Sequence, residues 1–273
     1  MNPQIILLTG ASAGIGKATA ELLMENGVIV YGASRRGCEP RKAVNGPGEI
    51  IPVIMDVNNE NEIAAVVEHI INEKGRLDVL ISNAGNGIAG SIEDTSVEEA
   101  RYQFETNFFG VFKTIQACLP VFRSQGYGKI ITISSVAGII PIPFQALYSS
   151  VKAALLIFMN ALSLEVKPFG IQCCTILPGD TKTEFTAARK YSLASQSPDS
   201  VYYKKMKSSV GKMEKDEQNG MDPADVAKAI VAQVMNKRVH TFYVTGLQYQ
   251  LIYHLFNILP TNLRLWIVGK LYA

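Results

Sequence analysis

Short, β-branched apolar runs alternate along this chain with longer stretches whose apolar residues recur every three or four positions. The runs Gln4–Thr9, Val28–Ala33, Glu49–Asp56, Val79–Ser82, Lys129–Ser134, Gln172–Leu177 and Thr241–Val244 predict strands. Helical spacing predicts helices over Gly14–Glu25, Glu60–Lys74, Val97–Arg123, Ala146–Lys167 and Pro223–Asn236. The strands hold few polar residues, as expected when helices cover both faces of a parallel sheet. The expected fold class is α/β, a single doubly wound domain over residues 1–246 with a mostly parallel sheet.

Beyond that domain the pattern changes. Leu251, Ile252, Leu255, Phe256 and Leu259 recur as one helical face, and after Pro260 a second pattern holds Leu263, Trp266, Ile267 and Leu271. Pro260 and the regular polar interruptions argue against a membrane span. Residues 247–273 are expected to be an apolar helical extension of the same domain. Three roles stay open for it: a cap on the substrate pocket, a subunit contact, or peripheral attachment to a membrane.

Composition narrows the field. The chain of 273 residues is 48% hydrophobic and 18% charged, with a formal net charge of +2, which gives no reason to expect a nucleic-acid partner. Its four cysteines, Cys38, Cys118, Cys173 and Cys174, lack metal-ligand spacing and read as reduced, buried thiols. Cys173 and Cys174 should face opposite sides of their strand. The first apolar run begins at Ile5, close to the N-terminus, so a cytoplasmic protein without a leader is expected.

Candidate chemistry begins where the first strand ends. Thr9-Gly10-Ala11-Ser12-Ala13-Gly14-Ile15-Gly16 is a glycine-rich turn that runs straight into a helix, which suits a pyrophosphate held by backbone N–H groups. After the second strand, where an acidic residue would bind a ribose 2′-hydroxyl, the chain reads Ala33-Ser34-Arg35-Arg36. Arginine there can pair with a 2′-phosphate, so NADP(H) is the expected cofactor. Asp56 and Val57, closing the third strand, are expected beside the adenine.

A proton-transfer group is also needed. Tyr148 and Lys152 lie one helical turn apart and share a face. Free tyrosine titrates near pH ~10, and a neighbouring ammonium would pull that value down. Tyr203 and Lys207 have the same spacing, but their segment is polar and weakly periodic. The pair at 148 also follows Ser134-Ser135 at a strand C-terminus, where such sheets bind ligands.

Taken together, the chain to about Asn236 resembles the short-chain dehydrogenase/reductase family. The resemblance rests on Thr9–Gly16, Asn83-Ala84-Gly85, Asn107, Ser135, Tyr148 with Lys152, and Pro178-Gly179 followed by Thr183. It is closest to hydroxysteroid and retinol dehydrogenase branches, through Leu147–Lys152 and Val166–Gly170. The resemblance implies a Rossmann domain and an oxidoreductase that interconverts a ketone and a secondary alcohol. Ser135 would orient the carbonyl, and Tyr148 would be the general acid in reduction and the base in oxidation. Lys152 would lower the tyrosine pKa and bind the nicotinamide ribose, and Asn107 would support a proton-relay water. Thr181 and Thr183 would contact the carboxamide, and Ser12 with Arg35 would hold the 2′-phosphate. Residues 184–220, lysine-rich, would be the loop over the substrate. Ile88 and Ile139–Phe144 supply apolar walls for a lipophilic ketone or alcohol such as a steroid, retinoid or long-chain lipid. A homodimer or homotetramer is implied as well. The alternative is a dinucleotide-binding regulator without turnover, since fold does not fix function.

Overall fold

The computed structural model describes residues 2–272. Eight strands form one sheet: β1 (Ile5–Thr9), β2 (Ile29–Ser34), β3 (Arg41–Lys42), β4 (Glu49–Ile54), β5 (Val79–Ser82), β7 (Gly128–Ile133), β8 (Ile171–Leu177) and β10 (Phe242–Val244). A separate pair joins β6 (Ile88–Ala89) to β9 (Lys190–Tyr191). The order in the large sheet is β10-β8-β7-β5-β1-β2-β4-β3, and only the edge pair β3–β4 is antiparallel. The chain starts near the middle, winds outward to β4, then crosses back past β1 to build the other half. This crossing leaves a crevice beyond the strand ends between β1 and β5.

Strand periodicity distributes the core. Ile5 and Leu7 of β1 join a cluster with Ile63, Val67 and Ile70 of α2 (Glu60–Lys74), Ile115 and Phe122 of α4 (Gly110–Gln125), and Leu155 and Met159 of α5 (Ala146–Val166). Ile6 and Leu8 point the other way, onto Ala20 and Leu23 of α1 (Gly14–Glu25) and Val226, Ile230 and Val234 of α8 (Pro223–Met235). Each such aliphatic side chain contributes about 1.5–3 kcal/mol on burial. Cys173 falls in the first cluster and Cys174 in the second, and burial pushes both thiols up to about 12.

Three elements differ from the sequence expectation. The helix expected over Val97–Arg123 is broken: α3 (Val97–Phe104) passes into one π-helical turn, Glu105–Phe109, before α4. Its start is fixed by a capping box between Ser96 and Glu99. The expected loop 184–220 instead contains a short helix α6 (Phe185–Ala188), strand β9 and a sixteen-residue helix α7 (Tyr203–Gln218). Helix α7 buries Met206, Ser209, Val210 and Met213, a helical spacing hidden among lysines. The C-terminal extension forms α9 (Leu247–Ile258) and α10 (Thr261–Tyr272), and its expected apolar face splits. Phe256 turns inward, whereas Leu251 and Leu255 stay exposed.

Candidate active site

The turns at the C-terminal ends of the strands surround a cavity of about 500 Å³. At one end, Gly10 and Gly14 have positive φ (70° and 52°), which allows the tight turn into α1. Ala13 caps α1 without a side-chain hydrogen bond, and no acidic residue stands in the first turn. The leading N–H groups of the helix therefore lack the partner that serine or aspartate would supply. Ala13, Gly14 and Ile15 line the cavity, so this uncapped terminus fits a phosphate group. Gly16, expected at the cofactor, lies outside the wall; a side chain there would strike the Gly10 carbonyl and the Asn83 amide. Its smallness serves the packing of α1 on the turn.

Asn83 ties this turn to β5. Its Nδ2 donates to the carbonyls of Thr9 (3.0 Å) and Gly10 (3.1 Å), and Thr9 Oγ1 accepts from the N–H groups of Asn83 and Ala84. Ser12, Arg35 and Arg36 line the outer end of the cavity, and both arginines are exposed. The nearby acids Glu21 and Glu39 are taken up by Arg41 at 2.7 and 3.0 Å. Asp56 and Val57 follow, then Asn83, Ala84 and Gly85, in a continuous wall toward the middle.

At the inner end Ser135 follows β7 in extended backbone, its Oγ accepting from Ala137 N–H at 3.1 Å. Ser134 turns to α5 instead and donates to the Lys152 carbonyl at 2.8 Å. Tyr148 and Lys152 both line the cavity, with Lys152 Nζ 5.6 Å from the Tyr148 ring centre and donating to the Ile133 carbonyl at 2.9 Å. Pro178, Gly179, Thr181 and Thr183 close the wall opposite.

One expectation about charge is reversed. Burial pushes the Tyr148 hydroxyl up to about 12, with Glu217 adding to the rise and Arg189 and the Ser135 hydroxyl offsetting part of it. Lys152 is itself pushed down to about 8 by burial. Desolvation is thus the largest influence on both groups, and the cation that offsets part of it at the tyrosine is Arg189 rather than Lys152. Asn107 is a second departure. It sits in the π-helical turn behind the wall, with Nδ2 donating to Asn86 O (3.0 Å), Asn86 Oδ1 (2.8 Å) and Gln103 O (2.9 Å). It holds Asn86, which does line the cavity, and does not line it itself.

The sequence pattern of the short chain dehydrogenase family matches residues 4–193. The chain belongs to this family. A 3-ketodihydrosphingosine reductase from Bacteroides thetaiotaomicron is 45% identical over 238 residues, covering 87% of this chain and 86% of that one. Two solved structures share the fold of this short-chain dehydrogenase at low identity. One, from Burkholderia phymatum in complex with NAD, is 20% identical at a TM-score of 0.78, covering 93% and 92% of the two chains. The other, from Burkholderia cenocepacia in complex with NADP, is 22% identical at a TM-score of 0.73, covering 100% and 98%.

The substrate end of this short-chain dehydrogenase differs from the walls expected of it. Ile88 is buried in the β6–β9 pair, and of Ile139–Phe144 only Ile142 lines the cavity. Gln145, Asp180, Phe185, Met213 and Glu217 also line the cavity, none of them named individually in the sequence expectation. Gln145 lies three residues before Tyr148. Its side chain is 3% exposed, and its Nε2 has no hydrogen-bond partner. Phe185 stacks 5.7 Å from the Tyr148 ring. Beneath it, buried Arg189 meets Glu217 at 2.5 Å and Glu214 at 3.6 Å, which fixes α6 to α7. The decoy pair Tyr203 and Lys207 stays on α7 and is absent from the cavity wall.

Proposed function

We propose that this oxidoreductase uses NADP(H) to interconvert a ketone and a secondary alcohol on a lipophilic, long-chain substrate. The observation that carries the proposal is the convergence of Ser135, Tyr148 and Lys152 on the one stretch of cavity between the phosphate-binding turn and the Ile142–Phe185–Met213 wall. When bound, the dinucleotide supplies or accepts the hydride. The chain's residues position and move the proton. Ser135 Oγ, whose hydroxyl makes only a long 3.5 Å bond to the Pro178 carbonyl, can exchange it for the substrate oxygen, and Tyr148 gives that oxygen its proton in reduction. Lys152, fixed by the Ile133 carbonyl, keeps a cation beside the ring and offers its remaining protons to ribose hydroxyls.

NADP(H) is favoured over NAD(H) by the exposed Arg35 and Arg36 at the outer end of the cavity and by the absence of a carboxylate in Ala33–Arg36. A long-chain keto lipid is favoured over a steroid or retinoid by the name of the 45% identical relative, a 3-ketodihydrosphingosine reductase. The polar residues Gln145, Asp180 and Glu217 beside an apolar wall suit a substrate with one polar end. A regulator without turnover has no need for Tyr148 and Lys152 to share one cavity.

The test is a fluorescence titration with NADPH and NADH, followed by turnover of long-chain ketones, steroids and retinoids. Preference for NADPH that is lost in Arg35→Ala, with turnover about 10²–10⁴-fold lower in Tyr148→Phe, is the expected result. Equal binding of the two dinucleotides, or full turnover in Tyr148→Phe, would sink the proposal.

A further inference from the structure

Helix α9 carries its leucine stripe on the outside. Leu247, Leu251, Leu255 and Ile258 are spaced four, four and three residues apart, so they fall on one side of the helix, and they are 84, 70, 52 and 81% exposed. Phe256, on the opposite side, is the only buried residue of α9. Helix α10, which follows after Pro260, adds Leu265 and Trp266, which are 52 and 60% exposed. Single exposed leucines are ordinary, whereas a continuous stripe marks a surface that is covered in use.

Charge selects what covers it. From Val226 to the C-terminus the sequence has no aspartate or glutamate; on α10 Lys270 is exposed, while Arg264 turns inward over the Phe256 ring at 5.8 Å. In a two-fold contact between copies the patch would meet itself, cation against cation, with no carboxylate to offset them. An anionic bilayer supplies the complement, taking leucines and tryptophan at the acyl boundary and cations at the headgroup phosphates. Twelve residues each, α9 and α10 are too short to cross the hydrocarbon and lie in the plane of the interface. We propose that the outer face of α9 and α10 docks this protein on an anionic lipid surface.

The inner side of the same helices borders the site. Tyr249 of α9 donates to Asp180 Oδ2 at 2.8 Å, and Tyr272 of α10 packs against the cluster of Met206, Val210 and Met213; Asp180 and Met213 both form cavity wall. Docking thus brings the membrane against the roof of the substrate pocket, and it does not depend on which ketone the enzyme reduces.

Trp266 is the sole tryptophan, so intrinsic fluorescence reads this face directly. The experiment mixes the full-length protein with phosphatidylcholine vesicles, with and without phosphatidylglycerol, and follows emission and co-sedimentation. A blue shift and co-sedimentation with the anionic vesicles are expected, with partitioning about tenfold or more weaker in Leu251→Glu/Leu255→Glu. Melting temperature and solution mass of the double variant should match the parent. Failure to bind either vesicle overturns the inference, and equal binding to both overturns the anionic preference. A smaller solution mass for the double variant would assign the face to a second copy instead. Since no substrate is present, none of these outcomes is confused with failure of the reductase assignment.

Discussion

Three side chains near the reacting position, half-buried Tyr148 and buried Lys152 and Gln145, set the behaviour expected with pH and with substrate. Burial and Glu217 together push Tyr148 up to about 12, so near neutrality the hydroxyl holds its proton and is ready as an acid. Reduction should therefore lose nothing to tyrosine ionisation between about pH 6 and 8, whereas oxidation, which needs the phenolate, should climb across the same range. Lys152, pushed down to about 8, loses its charge as pH rises through that value, and reduction should fall there. Rate profiles measured in both directions check this; an oxidation rate flat with pH would contradict it. Gln145 makes a separate prediction. Its amide nitrogen is buried without a partner, a state that costs on the order of 1–3 kcal/mol. Gln145→Met should accordingly raise the melting temperature while raising KM for the polar-ended ketone, with kcat less affected. A variant with unchanged KM would show that the amide makes no substrate contact.

At the scale of elements, the segment between β8 and α8 is held down by one carboxylate. Asp94 Oδ2 accepts from Ser91 Oγ and Ser200 Oγ, each at 2.6 Å, and from Ser195 Oγ at 3.4 Å. The bonds from Ser200 and Ser91 hold its carboxyl below the usual range. A carboxylate depressed in the folded state stabilises above its unfolded pKa, and that contribution is lost as pH falls through the folded value. Asp94→Ala should make residues 193–202 several-fold more susceptible to limited proteolysis at neutral pH, with less difference between variant and parent in acid. Equal digestion at neutral pH would mean the strap holds nothing. This region is also where the sequence was least legible. The parallel strands of the sheet follow from short apolar runs and α1, α2, α5 and α8 from a period of about 3.6 that the core enforces, whereas the two-residue edge strand β3 carries no such signal. Two of Asp94's partners, Ser195 and Ser200, lie about a hundred residues away, and no local pattern announces such a contact. The π-helical turn at Glu105–Phe109 keeps near-helical spacing, so one broken helix reads as one whole one. The phosphate turn and the pair Tyr148 and Lys152 were legible because glycine geometry and one-turn spacing are local, and Ser135 was singled out from Ser134 only by the family resemblance. Phe185, Met213 and Glu217 were not, since they reach the cavity only after α6 and α7 pack over it.

The whole molecule has two exposed apolar faces, and they call for different partners. Besides the α9–α10 face, α5 exposes Ile157 and Leu164 at 68 and 74%, and α4 exposes Phe109 and Phe112 at 45 and 39%. Ala146–Phe169 is apolar enough to pass for a membrane span, with a mean hydropathy of 1.5. Leu155, Met159 and Leu162 nevertheless anchor its inner side in the core, as befits a helix with water or a subunit on its other side. Glu105 and Glu165 lie on or beside this face along with Lys113 and Arg123, so a copy of the chain offers both signs of charge to its mate. Such a surface can be self-complementary in a two-fold contact, unlike the purely cationic one at the C-terminus. Ile157→Glu/Leu164→Glu should lower the mass measured by light scattering by about half or more at micromolar concentration. The same double variant should still bind anionic vesicles, and Leu251→Glu/Leu255→Glu should keep the parental mass while losing the vesicles. If Ile157→Glu/Leu164→Glu left the mass unchanged, the α4–α5 face would not be the one through which copies associate. If it also abolished vesicle binding, the two faces would act as one surface, with lipid attachment depending on assembly.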